Sequence, residues 1–205
     1  MIQLVDNPTD TEAIELDPKR AEHLQVLAEQ YQTGMQSGLQ PFKAYLAGSP
    51  GADVLLIKGL AGVAELAGKA VLSGKDGQAL QAALTSLGWG TDNWCAILCS
   101  PPDLPSLSTG QLHQLIEILD PLLIITLDTS ARQKTQDALV DSSNSKQTAD
   151  QAAMLSLTTT PAVWRAGAEI YLLGRHLLAL DDFESSLENN SSKQRVWAEL
   201  KQIAR

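Results

Sequence analysis

Cysteine, histidine, aromatic side chains and positive charge are all in short supply in this chain. Two cysteines in 205 residues, Cys95 and Cys99, are too few for the disulfide framework that holds small secreted domains together. They stand four apart in NWCAILC, a stretch that reads as a strand. Both therefore point to one face, yet they lie too far apart to bond to each other, and two buried, reduced thiols are expected. The three histidines, His23, His113 and His176, have no spacing that suggests a metal site. Fifteen Lys and Arg against 24 Asp and Glu leave a net charge of −9. Sequence-independent affinity for DNA rests on cations, so this balance disfavours DNA as a partner unless a local basic patch exists. The one basic cluster, Lys193, Arg195, Lys201 and Arg205, reads as the solvated face of a helix. No apolar run is long enough for a membrane span, and the opening MIQLVDNPTDTEAIELDPKR is too acidic for a signal peptide. A cytoplasmic protein without membrane association is expected.

What is present is an alternation of short apolar runs and helical patterns. Residues 1–16 read as a loose arm, and residues 17–205 as a single domain, long enough to bury a core without staples. Asp17 and Pro18 start a helix on which Leu24, Leu27, Ala28, Tyr31 and Met35 recur at helical spacing. DVLLIK, NWCAILC, PLLIITLD and AEIYLLG read as four strands. Between them lie helices over 76–87, over STGQLHQLIEILD with Ser108 or Thr109 as cap, and over TSARQKTQDALV with Thr129 or Ser130 at its start. SSKQRVWAELKQIAR closes the chain as an amphipathic helix, with Trp197 as an anchor. The Ser-rich segment 141–151 reads as a surface loop. The expected fold is a three-layer α/β/α sandwich with a mostly parallel four-stranded sheet. In such sheets the site lies beyond the carboxyl ends of the strands. Four segments are expected there: Lys58–Ala64, Cys99–Asp103, Leu127–Ser130 and Gly174–Asp181.

The first of these segments opens the glycine-rich loop GLAGVAELAGKAVLSGKDGQAL, residues 59–80. Its glycines at 59, 62, 68, 74 and 77 mark close backbone approaches or positive φ. The loop can present amides to an anion, but it has neither the G-K-[ST] of a P-loop nor a clean dinucleotide fingerprint.

Over residues 50–205, the ordered series GLAGVAEL, GKAVLSG, GKDGQALQAAL, AILCSPPD, IITLDTSAR, GRHLLAL and SSKQRVWAEL resembles the motif order of the uracil-DNA glycosylase superfamily. The resemblance implies a crevice formed by Gly59, Leu60, Ala61, Gly62, Pro101, Pro102, Asp128 and His176. If the chain is catalytic, it implies Glu65 as water activator, Asn93 as reader of the base edge, and His176 as stabiliser of the departing base. Several motif positions depart from the family. Leu60 stands where one form of the first loop has an acid and another has Leu, Val71 stands at the stacking Phe, Asp128 at a turn glycine, and Leu177-Leu178 at Pro-Ser. The iron–sulfur cysteines are absent, so no cofactor is expected. The segment after His176, which in the family enters the minor groove, reads LALDDFESSLENN. Its carboxylates oppose a phosphate backbone, although Leu180 or Phe183 is there as a wedge. These departures point to a non-catalytic member with a protein partner, in DNA replication or repair. A divergent glycosylase acting on uracil or another deaminated base, and a small-ligand or nucleotide-binding protein, are the alternatives.

Overall fold

The computed structural model describes residues 39–90, 93–145 and 164–204, together with Gln25, Val26, Glu29, Gln32 and Thr33. Those five positions are helical and exposed, in agreement with the helix expected after Pro18; the rest of that helix, the 1–16 arm and residues 146–151 of the Ser-rich segment lie outside the described residues. Among the described residues there are six strands: β1 Leu46–Gly48, β2 Val54–Leu60, β3 Trp94–Ser100, β4 Leu123–Thr126, β5 Glu169–Leu172 and β6 Arg175–Ala179. The helices are α1 Val63–Leu66, α2 Lys75–Ser86, α3 Thr109–Leu119, α4 Thr129–Ser145, α5 Phe183–Ser186 and α6 Asn190–Leu200. A 3-10 turn, Gln40–Tyr45, precedes β1.

The sheet runs β1-β3-β2-β4-β6-β5. Its four inner strands are mutually parallel, and the two edge strands are antiparallel to their neighbours. The architecture is thus α/β with a mixed six-stranded sheet, which corrects the four-stranded expectation at both edges. At one edge, three residues of β1 were too few to be seen as a strand. At the other, AEIYLLG is not the fourth parallel strand. It folds back through Leu173-Gly174, both at positive φ, onto the next apolar run, RHLLA, which is the parallel one. A two-residue turn with both centres left-handed is the hairpin form whose usual signal is Asn-Gly or Asp-Gly. Leu-Gly hides that signal inside a continuous apolar run.

Strand side chains alternate between two cores. Leu55 and Ile57 of β2, with Ile97 and Ile124, face α3 and α4, which contribute Leu112, Ile116, Ala131 and Ala138. Val54 and Leu56, with Leu98 and Ile125, face the opposite side, where α2 supplies Leu80 and Leu84 and α6 supplies Val196 and Leu200. Helices therefore cover both faces. Ser108 caps α3, its hydroxyl accepting the Gln111 N–H at 3.2 Å. α4 starts at Thr129, as expected, and its capping side chain is Asp128, which accepts the Ala131 N–H at 2.8 Å. The same helix continues through Ser145, five residues into the segment expected to be a loop.

Cys95 and Cys99 are free thiols buried in the α3/α4 core, on one face as their spacing requires. Burial pushes each thiol up to about 12. Since the thiolate is the reactive form, neither cysteine of the native protein is expected to react with maleimide at about pH 8, while both react after denaturation. Mass spectrometry of the adducts checks this, and rapid native labelling would contradict the packing.

Candidate functional site

The carboxyl ends of the parallel strands converge on one polar cluster. Lys58 lies on β2 with the parity of Val54 and Leu56, so its side chain leaves the sheet on the α2 side. It is 5% exposed. Its ammonium meets Asp76 Oδ2 at 2.7 Å, Glu65 Oε2 at 2.9 Å and Glu184 Oε2 at 3.1 Å. Asp76 comes from the first turn of α2, where a carboxylate also complements the helix dipole. Glu184 belongs to α5, after β6. Burial lowers the affinity of Lys58 for its proton, but the hydrogen bonds its ammonium donates to Asp76, Glu65 and Glu184 outweigh it, and the pKa ends well above that of an ordinary lysine. Lys58 is held as a cation.

The glycine loop is closed by the chain's own carboxylates. Asp128 Oδ2 accepts the N–H of Gly59 at 2.6 Å and of Leu60 at 3.4 Å. Glu65 accepts Gly62 N–H at 2.9 Å through Oε2 and Leu72 N–H at 3.0 Å through Oε1. The glycines make room for these acids. A Cβ at Gly59 would stand 2.3 Å from Asp128 Oδ1, and one at Gly62 would stand 2.1 Å from Glu184 Oε2. Beside the loop is a cleft of about 170 Å³, lined among others by Lys58, Leu60, Ala61, Asp128, Asp182 and Phe183.

Of the residues expected in one crevice, Gly59, Leu60, Ala61, Gly62, Glu65 and Asp128 do come together here. Glu65 is 5% exposed and engaged through both oxygens, rather than a free loop carboxylate. Pro101 and Pro102 follow the carboxyl end of β3 but do not line the cleft. His176 and Asn93 are corrected outright. His176 pairs with Leu123 at the start of β4, so it stands at the amino end of the sheet. The cause is the unseen hairpin, which places Gly174 at that end too and leaves the end of its segment, Ala179 to Asp181, toward the carboxyl end of the sheet. Asn93 directly precedes β3, also at the amino end, and exchanges hydrogen bonds with Asp53: the Asp53 N–H to Oδ1 and its own Nδ2 to Oδ2, each 2.8 Å. Val71 at 3% exposure, Leu180 at 0% and Phe183 at 3% are core residues, so neither of the last two is a wedge. Asp181, Asp182 and Glu188 are exposed, and Asp182 caps α5 by accepting the Ser185 N–H. Trp197 is half-exposed with the Lys201 ammonium 5.5 Å above its ring, so it anchors α6 less than Val196 and Leu200 do.

Sequence reasoning assigns no role to two residues of the cluster, Lys58, which opens one of the four expected segments, and Asp76, which lies outside them. A signal for the first was present: a lysine within DVLLIKGL, on the parity of buried residues, demands a buried counter-charge.

Two other polar groupings have plain structural accounts. Lys134 of α4 bonds Ser106 and donates to the Leu107 carbonyl at 2.8 Å, latching the loop after β3 onto the helix; Ser100 joins it through Ser106 at 2.8 Å. At the amino end of the sheet, His176 Nδ1 pairs with Glu169 Oε1 at 2.7 Å, with the Tyr171 ring edge-on at 5.1 Å. These three side chains border an open cavity of about 360 Å³ over Trp89, Leu122 and Ile203.

No protein-family model matches the chain, and no curated protein matches it. Among the described residues no group of His, Cys, Asp and Glu is placed to hold a metal ion, and no helix is long and apolar enough to cross a membrane.

Proposed function

We propose that this chain is a non-catalytic protein of uracil-DNA glycosylase-like fold that works as a protein-interaction module, tied by that resemblance to DNA replication or repair. The observation that carries the reading is the internal saturation of the cleft. Lys58 is neutralised by Asp76, Glu65 and Glu184, and the loop amides donate to Asp128 and Glu65. A general base needs an available lone pair at the reacting atom, and an anion site needs available donors. Here both have been assigned to the scaffold. The glycosylase alternative requires Glu65, Asn93 and His176 around one base, and they occupy opposite ends of the sheet. The nucleotide alternative requires loop amides that already hold carboxylates.

The test is incubation of the purified chain with single- and double-stranded DNA carrying uracil or hypoxanthine at low salt, followed by detection of abasic sites. No release above the protein-free control is expected, with His176→Ala indistinguishable from the parent. Release above that control, whether or not His176→Ala reduces it, would overturn the reading.

A further inference from the structure

We propose that Leu60, Val63 and Leu66 form a docking ridge for a peptide segment with two apolar side chains followed by lysine or arginine. The inference rests on the non-catalytic reading and names the chemistry of its partner. These three aliphatic residues are 60%, 79% and 66% exposed. Val63 and Leu66 stand three apart on one face of α1, and Leu60 ends β2 just before that turn. Solvent normally meets polar residues on such a turn, and grouped aliphatic side chains at the mouth of a cleft mark contact surfaces. The ridge is also held still. Glu65, between Val63 and Leu66, binds the Gly62 and Leu72 amides and the Lys58 ammonium. A surface already fixed in shape loses little entropy on binding.

Charge selects the occupant. Leu60 borders the same cleft as Asp128, Asp182 and Glu184, and Asp181 accepts from the Thr129 hydroxyl next to Asp128. In the cleft lining Asp76, Asp128, Asp182 and Glu184 stand against one cation, Lys58, which Glu65 also pairs. Lys69 is exposed just beyond Leu66, at the other end. The resulting field runs along the ridge and places the cationic end of a bound segment over Leu60. It opposes phosphate backbones and anionic lipid, and a second copy of a chain carrying −9 is opposed in the same way.

A phage-displayed random peptide library selected on the full chain tests this. Enriched sequences are expected to share paired aliphatic or aromatic residues followed by Lys or Arg. A synthetic peptide from that set is expected to bind about tenfold or more weakly to V63D/L66D, since truncating a central apolar anchor commonly has that effect. These exposed positions leave the melting temperature unchanged. D181N/D182N is expected to weaken binding about threefold and to flatten its salt dependence, because Asn still caps α5 at 182. The proposal is overturned by failure to enrich, by neutral or acidic enriched sequences, by binding indifferent to V63D/L66D, or by sedimentation showing a dimer that V63D/L66D dissolves. Any of these with no abasic-site release removes the ridge and leaves the non-catalytic reading standing; release above the protein-free control removes that reading instead.

Discussion

Lys58→Met is expected to destabilise the fold by about 3–5 kcal/mol, the range found when one partner of a buried ion pair is removed. Methionine matches the length of the lysine stem, so the loss reflects charge rather than a cavity. What remains is Glu65 and Asp76 facing one another, their side chains 2% and 6% exposed, without a cation between them. Desolvated like charges are costlier than any contact the methionine forms. Adding Glu65→Gln and Asp76→Asn to Lys58→Met is therefore expected to recover part of the loss, although Glu65→Gln also weakens the bonds to Gly62 and Leu72. Urea denaturation with a shared m-value measures all three proteins. If Lys58→Met alone proves neutral, the cluster is open to water in solution and its account as a buried scaffold fails.

The same cluster fixes the sign of the alkaline pH dependence. Lys58 has a raised pKa in the folded state, so the folded chain holds a proton that the unfolded chain releases above about 10.5. Its contribution is complete below that pH and is lost as pH rises through the folded value. Cys95 and Cys99 act in the same direction over a lower window. Their unfolded thiols ionise near 9.0 and their folded ones near 12, so stability falls across that interval. In a Cys95→Ala/Cys99→Ala variant the decline is expected to begin later, and Lys58→Met removes the part above 10.5.

Much of the fold was legible because strand parity and helix caps are local. The run DVLLIK, the helix over 75–86 and the Ser108 cap follow from residues a few positions apart. The errors share a different origin. Leu173-Gly174 turns the chain with none of the usual turn chemistry, and that single missed reversal moved His176 from the carboxyl end of the sheet to the amino end. Asn93 opens NWCAILC and so belongs to the amino end of that strand, whereas the role the resemblance implies for it lies at the carboxyl end. In the cleft, Glu65 and Asp128 were visible as residues but not as ligands of the loop. Their partners lie elsewhere in the chain, Asp128 reaching Gly59 across 69 positions. Lys58 was readable in isolation; its neutralisation by acids from α1, α2 and α5 is a property of topology.

Trp164 supplies the second large expected effect, because it is a large aromatic ring only 2% exposed. It lies shortly before β5, with no helical or strand pattern around it in the sequence to announce a core position. Its ring lies in the α3/α4 core, its indole N–H donates to the Ala168 carbonyl at 3.1 Å, and its own carbonyl accepts Arg132 Nη1 of α4 at 2.6 Å. The residue thus joins the outer hairpin to the helical layer by packing and by two hydrogen bonds. Trp164→Ala is expected to cost about 3–5 kcal/mol, from lost burial and the void that follows. Trp164→Phe keeps most of the apolar contact but leaves the Ala168 carbonyl without its donor, so a smaller loss of about 1–3 kcal/mol is expected. Both follow from urea unfolding monitored by far-ultraviolet circular dichroism, which does not depend on the indole removed. Losses below about 1 kcal/mol for Trp164→Ala would mean that this ring is solvated and that the hairpin is held by its strand pairing alone.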